Sequence, residues 1–411
     1  MIKPLSILLA LIISNSVYGI IANSTVILLS VDGFSFSYLQ KYQPKNLLSF
    51  AKYGVSARLL PVYPSKTFPN HLSIITGSYP INHGIIHNSF YHPELDKKYY
   101  LGAGKVNDTW LTAEPFWSVA EEQSIKSAVY FWPESEVIGY TPPSYNIPYN
   151  KNTSNKARIE QLIAWLKLPD NQRPYFIASY FSTIDSAGHN YGVDSPQLIT
   201  AINEFDELFG SFLERINNEV YQPVNIILVS DHGMVPITKE ANVFTSVTFK
   251  NINIKSDGIK VTYSDTQLFI YFDKNKIAKK TRISIENKLQ SNRLVNKKLY
   301  SIYKKGNYPQ SWHFNADFAV VPDIIIEAIP PATFIWKKQL TKFDGATHGF
   351  DPKDNIPLHG LFIAAGSNII KGRVLEPFTN IHIFPLMNTL LGLNENKEID
   401  GQKAVLGAII E

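Results

Sequence analysis

The chain has 411 residues, no cysteine and a formal net charge of +4. So small a charge over that length gives no footing for a stable nucleic-acid complex or an anionic membrane surface. The missing thiols exclude a thiolate nucleophile or thiolate metal site, so any metal ligands must be His, Asp or Glu. With 45% hydrophobic and 18% charged residues, the composition is globular and suits one large α/β domain or two ordinary ones.

The first 19 residues read as a secretory signal peptide. Lys3 supplies a positive start, Leu5 to Ile13 is mostly apolar, and cleavage is expected after Gly19. The apolar run is about half of the roughly 20 residues a spanning helix needs, so no membrane span is expected after signal removal. The mature chain is then exported to the periplasm or secreted. Residues 20–411 are read as a single domain.

Three apolar runs have the length and evenness of central parallel strands: Thr25 to Val31, Tyr175 to Phe181 and Asn225 to Ser230. Helical patterns lie between them at Phe116–Gln123, Lys156–Leu166 and Ser195–Ile216. The last has Ser195 placed as an N-cap and Pro196 at the first helical position. This alternation predicts a doubly wound, mostly parallel α/β sheet with helices on both faces. The stretch 244–331 differs. It predicts strands at Ile259–Tyr263, Gln267–Phe272 and Ala319–Ile326 and a basic amphipathic helix at Lys279–Leu294, together a small inserted α+β subdomain. The main sheet is expected to resume at Leu358–Ala365.

Acids cluster at the ends of the predicted central strands. Asp32 and Asp231 follow the first and third directly, and Asp185 follows the second. Open α/β sheets bind ligands at that edge. Three carboxylates meeting there repel one another, which calls for a cation between them. His189 stands four residues after Asp185, His232 adjoins Asp231, and His348 lies in Thr347-His348-Gly349. Three Asp and three His suit a borderline divalent ion, zinc first. Each group is flanked by glycine, which lets backbone approach a crowded site.

Pro64-Ser65-Lys66-Thr67-Phe68-Pro69-Asn70-His71 places Thr67 at the start of a helix that stops at Gly77. A Thr there is usually only an N-cap. Beside a cation, and at the positive end of a helix, its hydroxyl becomes a nucleophile candidate.

The same blocks, with Thr76-Gly77, His83-Gly84-Ile85-Ile86, Asn88, Asp185-Ser186-x-Gly188-His189 and Ser230-Asp231-His232-Gly233-Met234, resemble the nucleotide pyrophosphatase/phosphodiesterase family of the alkaline phosphatase superfamily. The match runs in order from about Val26 to Gly349, as a compact, bacterial-type, catalytic-domain-only member. The resemblance implies two zinc ions, one on Asp185, His189 and His348, the other on Asp32, Asp231, His232 and Thr67. It implies a covalent intermediate on Thr67, a hydrogen bond from Asn88 to a phosphoryl oxygen, and aromatic residues holding a base. Phe68, Tyr149 and Tyr180 are the candidates for that pocket. Nucleotides or dinucleotides are the expected substrates and nucleoside 5′-monophosphates the products. A phospholipid or choline-type phosphodiesterase on the same scaffold is the alternative, and an exported binding protein with an inactive site is the reading of another class. The remaining histidines are read as structural or surface groups, with His71 and His83 close enough in sequence to support the ligands.

Overall fold

The computed structural model describes residues 24–296, 299–314, 318–336, 345–394 and 398–411. The expected signal segment lies outside them. Among the described residues, no helix is long and apolar enough to cross a membrane.

Nine strands form the main sheet. In chain order they are β1 (Thr25–Val31), β2 (Val55–Leu60), β3 (Ser127–Tyr130), β4 (Tyr145–Ile147), β5 (Phe176–Phe181), β6 (Val224–Val229), β7 (Gly360–Gly366), β8 (Arg373–Val374) and β9 (Phe378–Thr379). Their spatial order is β8-β2-β7-β6-β1-β5-β3-β4, with β9 also on β2. Every pairing is parallel except those of β7, which runs against both β2 and β6.

β1 is buried along its whole length, and its alternate side chains feed two different cores. Val26 and Leu28 pack with the helices Thr67–Thr76, Phe116–Glu122 and Ile383–Leu391. Ile27, Leu29 and Val31 pack with Lys45–Tyr53, Asn155–Leu166 and Pro196–Glu219 on the opposite face. Both faces are therefore covered, and strand sequences without polar alternation follow from that. The longest helix starts as its sequence indicates, with Ser195 Oγ accepting from the Leu198 amide at 3.1 Å.

A second sheet of four antiparallel strands has the order Ile259–Tyr263, Gln267–Phe272, Ile324–Ala328, Tyr300–Lys304. The helix Lys279–Val295 accompanies it, and Leu268, Ile285, Leu289 and Ile326 share one core. The strand expected to begin at Ala319 begins at Ile324 instead. Pro322 lacks the amide needed to join the ladder, so the apolar Val320 and Val321 fall before the strand. The sequence reading omitted Tyr300–Lys304 altogether. This sheet is anchored to the main body through Tyr63, which follows β2. The Tyr63 hydroxyl donates to buried Glu327 at 2.5 Å, and its ring lies flat on Trp312 at 3.7 Å.

Candidate metal centre and active site

β5, β1 and β6 are adjacent, and their register brings their carboxyl ends level. Val31 pairs with Phe181, and Ser30 with Val229. Asp32 and Asp231 thus leave the sheet side by side. The chain after β5 turns into the helix Thr183–Tyr191, which carries Asp185 in its first turn and His189 in its last. Gly33 permits the close approach. It sits at φ +72°, and a Cβ there would lie 2.9 Å from the Asp185 Cα.

The three histidines share one tautomeric logic. His189 Nδ1 lies 3.0 Å from the Ala346 carbonyl, His232 Nδ1 3.1 Å from that of Gly233, and His348 Nδ1 2.8 Å from that of Ser65. A carbonyl only accepts, so each Nδ1 carries a proton, and the neutral form of each ring has its lone pair on Nε2. Those lone pairs converge. His348 Nε2 is 3.1 Å from His189 Nε2 and 3.6 Å from Asp185 Oδ1, and His189 Nε2 is 3.3 Å from the same oxygen. His232 Nε2 is 2.9 Å from Asp231 Oδ2 and 3.4 Å from Asp32 Oδ1.

Among the described residues, Asp32 Oδ1, Asp185 Oδ1 and Asp231 Oδ2 are buried without a hydrogen-bond partner. Each such atom costs about 1–3 kcal/mol, more when charged. Lone pairs facing lone pairs, with three orphaned carboxylate oxygens among them, is a donor set that fits divalent cations. Two groups lie within ligating reach: Asp32, Asp231 and His232, and Asp185, His232 and His348. His232 belongs to both, with its ring stacked on that of His348 at 3.6 Å, while His189 approaches the second group from the side.

Burial, then the charges of Asp231 and Asp185, push the Asp32 carboxyl well above its ordinary range. Burial also raises Asp185. Burial acts in the same direction on Asp231, but His232 and His71 outweigh it and hold that carboxyl low. Burial, with His232 and Lys66 nearby, keeps His348 neutral far below the usual imidazole range.

Thr67 opens the helix Thr67–Thr76 as its first residue, and Gly77 ends the helix at φ +67°. The residue before it, Lys66, occupies the cap position without a side-chain capping bond. The Thr67 hydroxyl is not a cap; it points to His232 Nε2 at 3.4 Å. Asn88 Oδ1 accepts from the Phe68 amide at 3.0 Å, which fixes the Asn88 side chain beside Thr67 and orients its NH₂ as a remaining donor.

The aromatic candidates separate. Phe68 is half-buried against the core beneath the site. Tyr180 is buried, and its hydroxyl donates to Asp32 Oδ2 at 2.5 Å. What it offers the site is a hydrogen bond to an acid, not an open ring face. Tyr149 is 55% exposed, 6.3 Å from the Tyr180 ring and 5.2 Å from Phe131.

Supporting groups surround these residues, among them His71, which the sequence placed nearby, and Lys66, whose partners it did not show. His71 Nδ1 donates to the Thr67 carbonyl at 2.8 Å and lies 3.3 Å from Asp231 Oδ2, while its Nε2 accepts from Ser30 Oγ at 2.8 Å. Tyr180 and Trp132 pack edge-on against its ring at 5.0 Å. Lys66, only 5% exposed, donates to the His348 carbonyl and pairs with Asp265, both at 2.8 Å. Gly349, at φ +115°, makes room for it, since a Cβ there would meet the Lys66 Cε at 2.2 Å. The motif position of Lys66 was visible in the sequence, but its partner lies 199 residues away.

Known proteins resemble this chain over most of its length. The family model described as type I phosphodiesterase/nucleotide pyrophosphatase matches residues 26–351. A Schizosaccharomyces pombe protein named as an uncharacterized pyrophosphatase/phosphodiesterase is 31% identical over 90% of this chain and 77% of its own. Bovine ectonucleotide pyrophosphatase/phosphodiesterase family member 3 is 32% identical over 89% of this chain, which spans 42% of that protein. Crotalus adamanteus venom phosphodiesterase 2 is 31% identical over 90% of this chain and 45% of its own. The chain thus spans less than half the length of these animal relatives. Murine ectonucleotide pyrophosphatase/phosphodiesterase 5 superposes over 94% of this chain and all of its own, with a TM-score of 0.84 at 24% identity. That likeness shows the alkaline phosphatase-like fold. An inactive threonine-to-alanine variant of the murine protein has been solved in complex with AMP.

Proposed function

We propose that this chain, which belongs to the type I phosphodiesterase/nucleotide pyrophosphatase family, cleaves nucleotide phosphodiester and pyrophosphate bonds and releases nucleoside 5′-monophosphates. The observation that carries the reading is the Thr67 hydroxyl at a helix start, 3.4 Å from His232, beside three orphaned carboxylate oxygens and three converging imidazole lone pairs. The AMP complex of the murine relative and the names of the relatives favour nucleotides over choline-type lipid headgroups.

Our assignment is two zinc ions, one held by Asp32, Asp231, His232 and Thr67 and one by Asp185, His189 and His348. Bound there, zinc supplies charge against the phosphate and lowers the hydroxyl's pKa. The Thr67 oxygen attacks phosphorus as its proton passes to solvent. The bond from phosphorus to the leaving oxygen breaks; that oxygen keeps the electron pair and takes up a proton. Water then attacks the phosphothreonine ester, releasing the 5′-monophosphate and restoring the hydroxyl. Asn88, held by the Phe68 amide, donates its NH₂ to a phosphoryl oxygen. Tyr180 holds Asp32 in place, and His71 holds the Thr67 carbonyl beside Asp231. Phe68 and Tyr149 receive the base.

Charge favours a diester. Two divalent cations against three aspartates leave roughly one positive charge, which matches a diester better than a doubly charged monoester. Lys66, the cation next to Thr67, is already engaged with Asp265. We also propose that residues 1–19 direct export to the periplasm or beyond, and that 244–331 is an insertion in one catalytic domain.

A substrate panel tests the reading. A nucleotide diester and a dinucleotide are expected to outpace a choline phosphodiester and a simple monoester. Phe68→Ala is expected to cost the nucleotide substrates about 1–3 kcal/mol in kcat/KM through lost stacking and a base-free diester much less. A wild-type preference for the choline ester, or equal losses on both substrates, would contradict it.

A further inference from the structure

We infer that the site has a second aromatic subsite, which takes the leaving group as a nucleoside. The inference rests on the phosphodiesterase reading above. A cleft of about 400 Å³ opens onto His189 and His348 and is walled by Tyr263, Phe334, Ile335 and Trp336. Phe68 and Tyr149, the residues assigned to the retained base, do not line it. The volume falls within the range of about 300–1,000 Å³ typical of small-molecule sites.

The direction of the reaction assigns its occupant. In an in-line displacement the attacking and leaving oxygens lie on opposite sides of phosphorus, and cations held by the two ligand groups would stabilise one each. Thr67 stands beside His232. His232 borders both ligand groups, and the assignment above puts Thr67 with Asp32 and Asp231, so the leaving oxygen emerges toward Asp185, His189 and His348, of which His189 and His348 face the cleft. Whatever is joined to that oxygen enters a space with two aromatic walls. Trp336 is 36% exposed, and its ring is 6.4 Å from that of Tyr263. Flat rings with polar edges are the chemistry of a base, and stacking accepts any base because each has a π-face. The enzyme so equipped prefers two linked nucleosides to a nucleotide carrying a small ester group.

Two substrates with the same 5′-nucleotide separate the subsite from the main reaction: a 3′,5′-dinucleotide, whose leaving group is a nucleoside, and the nucleotide's methyl ester, whose leaving group is methanol. Trp336→Ala and the double variant Trp336→Ala/Tyr263→Ala are assayed on both, with intact zinc-loaded protein. The expected result is about a tenfold fall in kcat/KM on the dinucleotide for Trp336→Ala, and a larger fall for the double variant. The methyl ester is expected to change less than about twofold, since ligands and nucleophile are untouched. Equal changes on both substrates, or an unaltered dinucleotide rate in the double variant, overturn the subsite and leave the phosphodiesterase reading standing. Wild-type protein that cleaves neither substrate overturns that reading, and the subsite with it.

Discussion

Thr67→Ala is expected to lower kcat on a nucleotide diester by about 10⁴-fold or more, the scale on which a nucleophile's removal is felt. The fold is expected to survive. The Thr67 hydroxyl makes no capping bond and the side chain is only half-buried, so the stability change should stay within about 0.5 kcal/mol. Zinc content should also be retained, because six other ligands remain in the proposed set. Thr67→Ser keeps the hydroxyl and is expected to retain part of the rate. Kinetics, elemental analysis and a thermal melt on the same preparations check all three statements. Normal turnover by the alanine variant would remove Thr67 from the mechanism.

Exhaustive chelation has the second-largest expected effect, abolishing turnover and also lowering Tm. The stability effect follows from the site's construction. Asp32 and Asp231 are fully buried, and the carboxylate oxygens facing the histidines have no other partner. A cation that binds only the folded chain stabilises it by mass action. Its removal leaves carboxylates and lone pairs facing one another. Zinc is expected to restore both activity and Tm. Magnesium is expected to fail, because it takes oxygen ligands and prefers to keep its waters. Full activity in protein shown to be free of transition metal would refute the assignment.

Much of this site was legible because each proposed ligand sits in a short, glycine-flanked motif, most of them at the end of an apolar run. The edge shared by β5, β1 and β6 follows from strand patterning, and the convergence of Asp32, Asp185 and Asp231 from the ordinary topology of such sheets. Less legible was anything depending on a partner far along the chain. Tyr180 sits in an apolar strand and reads as core or as a base platform. Only the structure shows its hydroxyl on Asp32. His71 reads as a neighbour able to support the ligands, but only the structure shows which groups it joins, Ser30 and the Thr67 carbonyl, with Asp231 at 3.3 Å. The place of His232 between both ligand groups depends on ring orientation, which spacing does not encode. Strand direction is equally silent. β7 is as evenly apolar as its neighbours, so nothing in its pattern marks it as the antiparallel member. The cleft beside His189 combines Tyr263 with residues 334–336. Tyr263 ends a strand of the second sheet, whereas Thr333–Ile335 pairs with Asn242–Phe244, and no local signature marks their approach.

The stereochemical course at phosphorus tests the central claim most directly. A nucleotide diester made chiral at phosphorus by sulfur substitution is hydrolysed in isotopically labelled water, and the configuration of the released 5′-monophosphorothioate is determined. Attack by Thr67 followed by attack by water is two in-line displacements, each inverting the centre, so the account predicts net retention. Net inversion would mean a single direct attack by water and would contradict the covalent role of Thr67.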